Sequence, residues 1–164
     1  MSRRFPILFV ALLLALFALE LTAPVQAHFV RPWTDGVAWL SGVLASAIDS
    51  GVATAGPVIM DRQSGFAVRV EAGCNGVEAM IVLAAGMLAF RAPWRLRLVG
   101  LLVGTVAVQF LNLVRVVSLF YLGQWNFQAF EFAHLYLWQA LIMLDVLIVW
   151  LLWLRWVGRE QAAT

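Results

Sequence analysis

The chain has 164 residues, of which 63% are hydrophobic and 12% charged, with a formal charge of +2. A soluble domain averages roughly 45–50% apolar and about 25% charged residues, so this composition excludes an ordinary soluble domain. The small charge, carried with no lysine and without a basic stripe of stacking aromatics, argues against nucleic acid, and the single cysteine excludes an intrachain disulfide and a thiolate zinc cluster.

The first apolar run follows Ser2-Arg3-Arg4 and predicts a helix over about residues 5–24. Its length suits a short spanning helix, and equally the apolar region of a signal peptide cleaved near Val25-Gln26-Ala27. A retained helix is the reading adopted. Residues 28–73 are less hydrophobic and form an outer segment. Within it Val37, Leu40, Leu44, Ala47, Ile48 and Val52 recur at helical spacing, which predicts an amphipathic helix on the membrane surface or packed on the bundle. The runs 57–60 and 66–70 flank Asp61-Arg62-Gln63-Ser64-Gly65 and predict a small β-hairpin resting on helix ends.

Three more helices are expected, over about 74–90, 98–122 and 134–154. The turn 91–97 holds Arg91, Arg95 and Arg97, and Arg155 and Arg159 follow the last helix. Short cytoplasmic loops are enriched in arginine, so both segments belong inside, as do Arg3 and Arg4. Trp94, Trp125, Trp138, Trp153 and Trp156 fall near the ends of the spans, as interfacial anchors do. The expectation is an all-α integral membrane protein forming one domain over 1–164. It would be a bundle of about four transmembrane helices, with an outer amphipathic helix and hairpin and both termini inside.

This topology puts Cys74 at the outer start of the second helix, Arg115 near the outer end of the third and His134 at the outer start of the fourth. Ionisable residues in a bilayer need partners or work to do. A helix N-terminus would lower the thiol pKa and leave amides free for an oxyanion, with Gly73 and Gly76 allowing close approach. His134 could shuttle the thiol proton, and Arg115 could hold the thiolate, an oxyanion or a substrate carbonyl. Asn75 and Gly76 adjoin the cysteine, Glu78 shares its expected helical face, and Asn112 shares that of Arg115. Asp145 lies deeper, three turns below His134, and Glu71 and Glu131 sit close to the same interface. No metal or cofactor is expected, because His28 and His134 lack ligand spacing. The competing reading is a non-catalytic scaffold in which Cys74 only packs and Arg115 pairs with Glu78 or Glu131. A transporter using Arg115 and Asp145 fits less well, since the polar residues gather at one level.

The segments Glu71-Ala72-Gly73-Cys74-Asn75-Gly76 and Asn112-Leu113-Val114-Arg115, then His134 entering the last helix, resemble the exosortase/archaeosortase family, most closely its short exosortase H type. The resemblance covers roughly residues 70–154. It implies a cysteine transpeptidase of the bacterial inner membrane, with Cys74, Arg115 and His134 as catalytic residues facing the periplasm. Its substrates would be exported proteins bearing a C-terminal sorting signal of motif, transmembrane helix and basic tail, cleaved through a thioester.

Overall fold

The protein, seen in a computed structural model that describes residues 4–162, is mostly helical. Ser2 and Arg3 of the N-terminal basic group lie outside the described residues. Helix α1 spans Arg4–Glu20 and α2 spans Ala23–Ser46, with a 68° bend between them. Pro24 stands in the first turn of α2, where a missing N–H costs least. A π-helical turn at Gln26–Val30 lies within α2.

These bounds correct the expected ones. The first helix stops at Glu20 rather than residue 24, and the amphipathic helix begins well before Val37 and ends at Ser46. Thr34, Val37, Ala38, Ser41, Gly42 and Ala45 form its buried face. Its opposite face is apolar too: Trp39 is 60% exposed, and Leu40, Val43 and Leu44 are also exposed. Val52, expected on this helix, lies instead in strand β1 (Val52–Ala55). The change of direction is fixed by Asp49, whose carboxylate accepts the Gly51 N–H at 2.8 Å.

Strands β1, β2 (Val58–Asp61) and β3 (Ala67–Arg69) form an antiparallel sheet in that order, with Val52 opposite Asp61 and Ile59 opposite Val68. The sheet thus has one strand more than the expected hairpin. The Asp61 carboxylate closes the β2–β3 turn by accepting the amides of Gln63 and Ser64 and the Ser64 hydroxyl. That hydroxyl first, and then the amides, hold its pKa below the ordinary carboxylate value.

Helix α3 spans Val77–Ala89, α4 Trp94–Trp125 and α5 Phe127–Ala162, the last through a π-helical turn at Ala133–Leu137. Each differs from its expected range. Helix α3 starts three residues after Cys74, and α4 is longer at both ends. Helix α5 starts seven residues before His134, where Asn126 caps it by accepting the Ala129 N–H at 3.0 Å.

Helices α4 and α5 are each long and apolar enough to cross a membrane, and α1 with α2 passes the same test as one bent pair. Helix α3 has 13 residues and is therefore only about 20 Å long. Two of the packed clusters tie most of the elements together. Ala79, Leu83 and Met87 of α3 meet Val108 of α4 and Ile142, Val146, Trp153 and Val157 of α5. Nearer Cys74, Val37, Ala38 and Ala45 of α2 meet Ile59, Val70, Val116 and Phe120. Not every tryptophan anchors an interface. Trp94 and Trp125 are exposed, but Trp138 and Trp153 are buried, and the Trp153 indole donates to the Leu96 carbonyl at 2.9 Å.

Small residues let apolar helices approach where no water drives them together. A Cβ on Gly104 would stand 2.6 Å from Leu83 Cδ2 and 3.2 Å from Val149 Cγ1. Gly104→Val is therefore expected to overpack the α3–α4–α5 contact and cost about 1–3 kcal/mol. Thermal unfolding in detergent should register it as a lowered midpoint, and an unchanged midpoint would contradict this packing.

Candidate active site

Cys74 does not open a helix. It lies in a turn between two glycines, Gly73 with φ +80° and Gly76 with φ +78°, which a right-handed helix cannot include. At Gly76 any side chain would also strike the Gln109 amide. Glu78 therefore does not share a helical face with the cysteine. It reaches back from the first turn of α3, and its carboxylate accepts the Gly73 N–H at 2.6 Å.

Helix α4 brings Arg115 to this turn from 41 residues away. The arginine is only 3% exposed. Its Nη1 donates to the Gly73 carbonyl at 2.8 Å and its Nη2 to Cys74 Sγ at 3.4 Å. The partners are a carbonyl and a sulfur; among the described residues neither Glu78 nor Glu131 pairs with it, and both Glu71 and Glu131 are exposed. Gly73 is thus held at its N–H by Glu78 and at its carbonyl by Arg115.

His134 arrives from α5, 60 residues along the chain, with Nε2 3.2 Å from Cys74 Sγ. It lies inside the π-helical turn, where one extra residue per turn re-aims the side chains of a helix. Its ring stacks on Phe130, with centroids 5.6 Å apart and planes 24° from parallel. The structure therefore brings Arg115 and His134 each within hydrogen-bonding reach of the Cys74 sulfur.

Asn75 and Asn112 are fully buried. Asn75 points away from the sulfur. Its amide donates to Thr34 Oγ1 at 3.0 Å and its Oδ1 accepts the N–H of Val77, the first residue of α3, at 3.0 Å. Its backbone carbonyl accepts from Trp33 Nε1 and Gln109 Nε2. Asn112 donates to Gln109 Oε1 at 3.5 Å and does not reach the cysteine. Asp145, three turns below His134, leaves Oδ2 buried with no hydrogen-bond partner among the described residues.

Gln109, Trp33, Thr34 and Phe130 were not singled out from the sequence. Gln109 could have been, because Gln109, Asn112 and Arg115 recur every three positions in an otherwise apolar run. The other three carry no comparable signal. Among the described residues no group of three His, Cys, Asp or Glu side chains could hold a metal ion. Beside Asn75 and Ala72 a cleft of about 430 Å³ opens between α2 and β3, with Arg31, Asp35, Arg69 and Glu71 on its walls.

The electrostatics of the thiol also differ from expectation. Burial pushes the Cys74 pKa up, and this outweighs the lowering by Arg115; Glu78 and Glu71 raise it further. The amides expected to be free for an oxyanion are largely taken. Those of Gly73, Cys74 and Val77 bond Glu78, the Glu71 carbonyl and Asn75.

Two opposite shifts follow for the pH dependence of Cys74 alkylation in membranes. The midpoint should lie above the ordinary thiol value. Glu71→Gln, an exposed change, should move it down by removing a negative neighbour, and Arg115→Gln should move it up. A midpoint that rises in Glu71→Gln would contradict this electrostatic picture.

A family model described as transmembrane exosortase (Exosortase_EpsH) matches residues 2–152. Comparison with curated proteins and with solved structures gives no match. The exosortase family is in general one of membrane-embedded transpeptidases acting on exported proteins with C-terminal sorting signals. Matched over nearly its whole length, the chain belongs to the transmembrane exosortase family.

Proposed function

We propose that the chain is a cysteine transpeptidase whose nucleophile is Cys74, with His134 as its base and acid and Arg115 as its electrostatic partner. The observation that carries this reading is the single sulfur with an imidazole nitrogen at 3.2 Å and a buried guanidinium at 3.4 Å. A scaffold would need neither group at the sulfur, and its Arg115 would be expected to pair with a carboxylate.

The raised thiol pKa favours a base-assisted route over a standing thiolate. His134 Nε2 takes the thiol proton as sulfur attacks the scissile carbonyl, forming the C–S bond and an oxyanion. Arg115 Nη2, already beside the sulfur, stabilises that charge. Collapse breaks the C–N bond, and the imidazolium returns its proton to the leaving amine. The mature part stays on Cys74 as a thioester until an amine acceptor, or water, releases it. Asn75, Gly76, Glu78 and Gln109 hold the turn in place, and Asn112 supports Gln109.

For topology we propose four membrane-associated helical layers in the bacterial inner membrane, within a single domain over residues 1–164, with the Cys74 turn facing the periplasm. The arginines at 91–97, 155 and 159 support this orientation. Since α3 is about 20 Å long and a hydrocarbon core about 30 Å thick, the turn would sit recessed below the outer surface. A substrate whose motif lies just outside its own membrane helix would present the scissile bond at that depth.

Replacing Cys74 by Ala in the native host tests the proposal, with C-terminal peptides of membrane and released proteins compared by mass spectrometry. Proteins with a motif, helix and basic tail should accumulate uncut. Unchanged processing would transfer the protein to the scaffold reading. His134→Ala should slow processing by about 10²–10⁴-fold, the usual share of a general base.

A further inference from the structure

We propose that the end of the bundle opposite Cys74 binds the headgroup of an anionic phospholipid. Phe5 of α1 packs against Phe90 and Trp150, which brings Arg4 to the turn that joins α3 and α4. There a cleft of about 550 Å³ opens, lined by Arg4, Arg91 and Arg97 over an apolar floor that includes Phe5, Leu8 and Phe90. Among the described residues no carboxylate lines it. Three like charges around one opening repel unless an anion enters.

Arg97 supplies the most specific feature. Its Nη2 donates to the Phe90 carbonyl at 2.8 Å, which fixes the guanidinium plane at the rim of the cleft. Held there, its terminal N–H groups can take a phosphate oxygen in the fork geometry that arginine favours. The apolar floor continues along α1 and α3, where Leu8 and Leu88 offer a course for acyl chains. The combination of basic rim and apolar floor matches a lipid with a negatively charged headgroup at the arginine-rich face of a membrane protein. A free phosphate would use the rim alone. The length of α3 separates the cleft from Cys74, and the peptidase chemistry makes no use of it.

Native mass spectrometry of the purified full chain, titrated with dioleoyl phosphatidylglycerol, dioleoyl phosphatidylcholine or inorganic phosphate, tests this. Phosphatidylglycerol should stay bound where phosphatidylcholine is lost, and inorganic phosphate should not displace it. Arg4 and Arg91 are exposed and make no hydrogen bond among the described residues, so Arg4→Gln/Arg91→Gln should fold. It should weaken phosphatidylglycerol binding about fivefold for each arginine removed. Arg155→Gln, at the same end but outside the cleft, should leave binding unchanged. Equal retention of the two lipids, wild-type binding by the double variant, an equal loss in Arg155→Gln, or displacement by inorganic phosphate would each overturn the proposal. Cys74→Ala should bind the lipid as the wild type does, so failure here and failure of the peptidase reading remain distinct.

Discussion

An arginine that is 3% exposed in the middle of an apolar helix must be given partners, and here those partners are the turn that carries the only cysteine. Taking a guanidinium out of water costs several kcal/mol unless its donors are met. Arg115 meets that demand in part, through the Gly73 carbonyl and the Cys74 sulfur, while its Nε stays buried with no hydrogen-bond partner among the described residues. Any conformation of residues 71–76 that withdrew them would leave a buried charge exposed to lipid or core. The constraint therefore acts in both directions: α4 fixes the turn, and the turn allows α4 to carry a charge. Glu78 completes the arrangement from the other side of the Gly73 peptide.

The remaining elements make room for that arrangement. Two glycines at positive φ take the chain out of helical geometry around Cys74, and Gln109 fills the space that a side chain at position 76 would occupy. On α5 a π-helical turn aims His134 at the sulfur while Phe130 supports its ring. The bent pair α1–α2 lets Trp33 and Thr34 reach Asn75 from a third direction. Helices α2, α3, α4 and α5 thus all place side chains on Gly73, Cys74 and Asn75. A half-buried thiol in such surroundings resists ionisation, which is why a nearby imidazole matters more than the charge of Arg115 alone.

Much of this was legible in the sequence, for definite reasons. The arginines in the short loops gave helix directions, and those directions put Cys74, Arg115 and His134 at one level. The details were lost where one local signal hid another. Cys74 looked like a helix start because an apolar run follows it, although the glycines at 73 and 76 allow a turn. His134 looked like another, because 123–133 read as loop, yet Asn126 is a helix cap and Phe127–Phe132 is helical. Neither π-helical turn has a compositional signature. The turn at Asp49 and Gly51 diverted Val52 into a strand that helical spacing had claimed. Trp138 and Trp153 pack inward because core demand at the α4–α5 contact outweighs interfacial preference.

The central claim is that a bond of the substrate is transferred to Cys74 rather than cut directly by water. Hydroxylamine added to a processing reaction tests it most directly, because it competes with the natural acceptor for a thioester. The mature product should carry a C-terminal hydroxamate in wild-type membranes and none in Cys74→Ala membranes. A product ending only in a free carboxylate under saturating hydroxylamine, or a hydroxamate that persists without Cys74, would contradict the account.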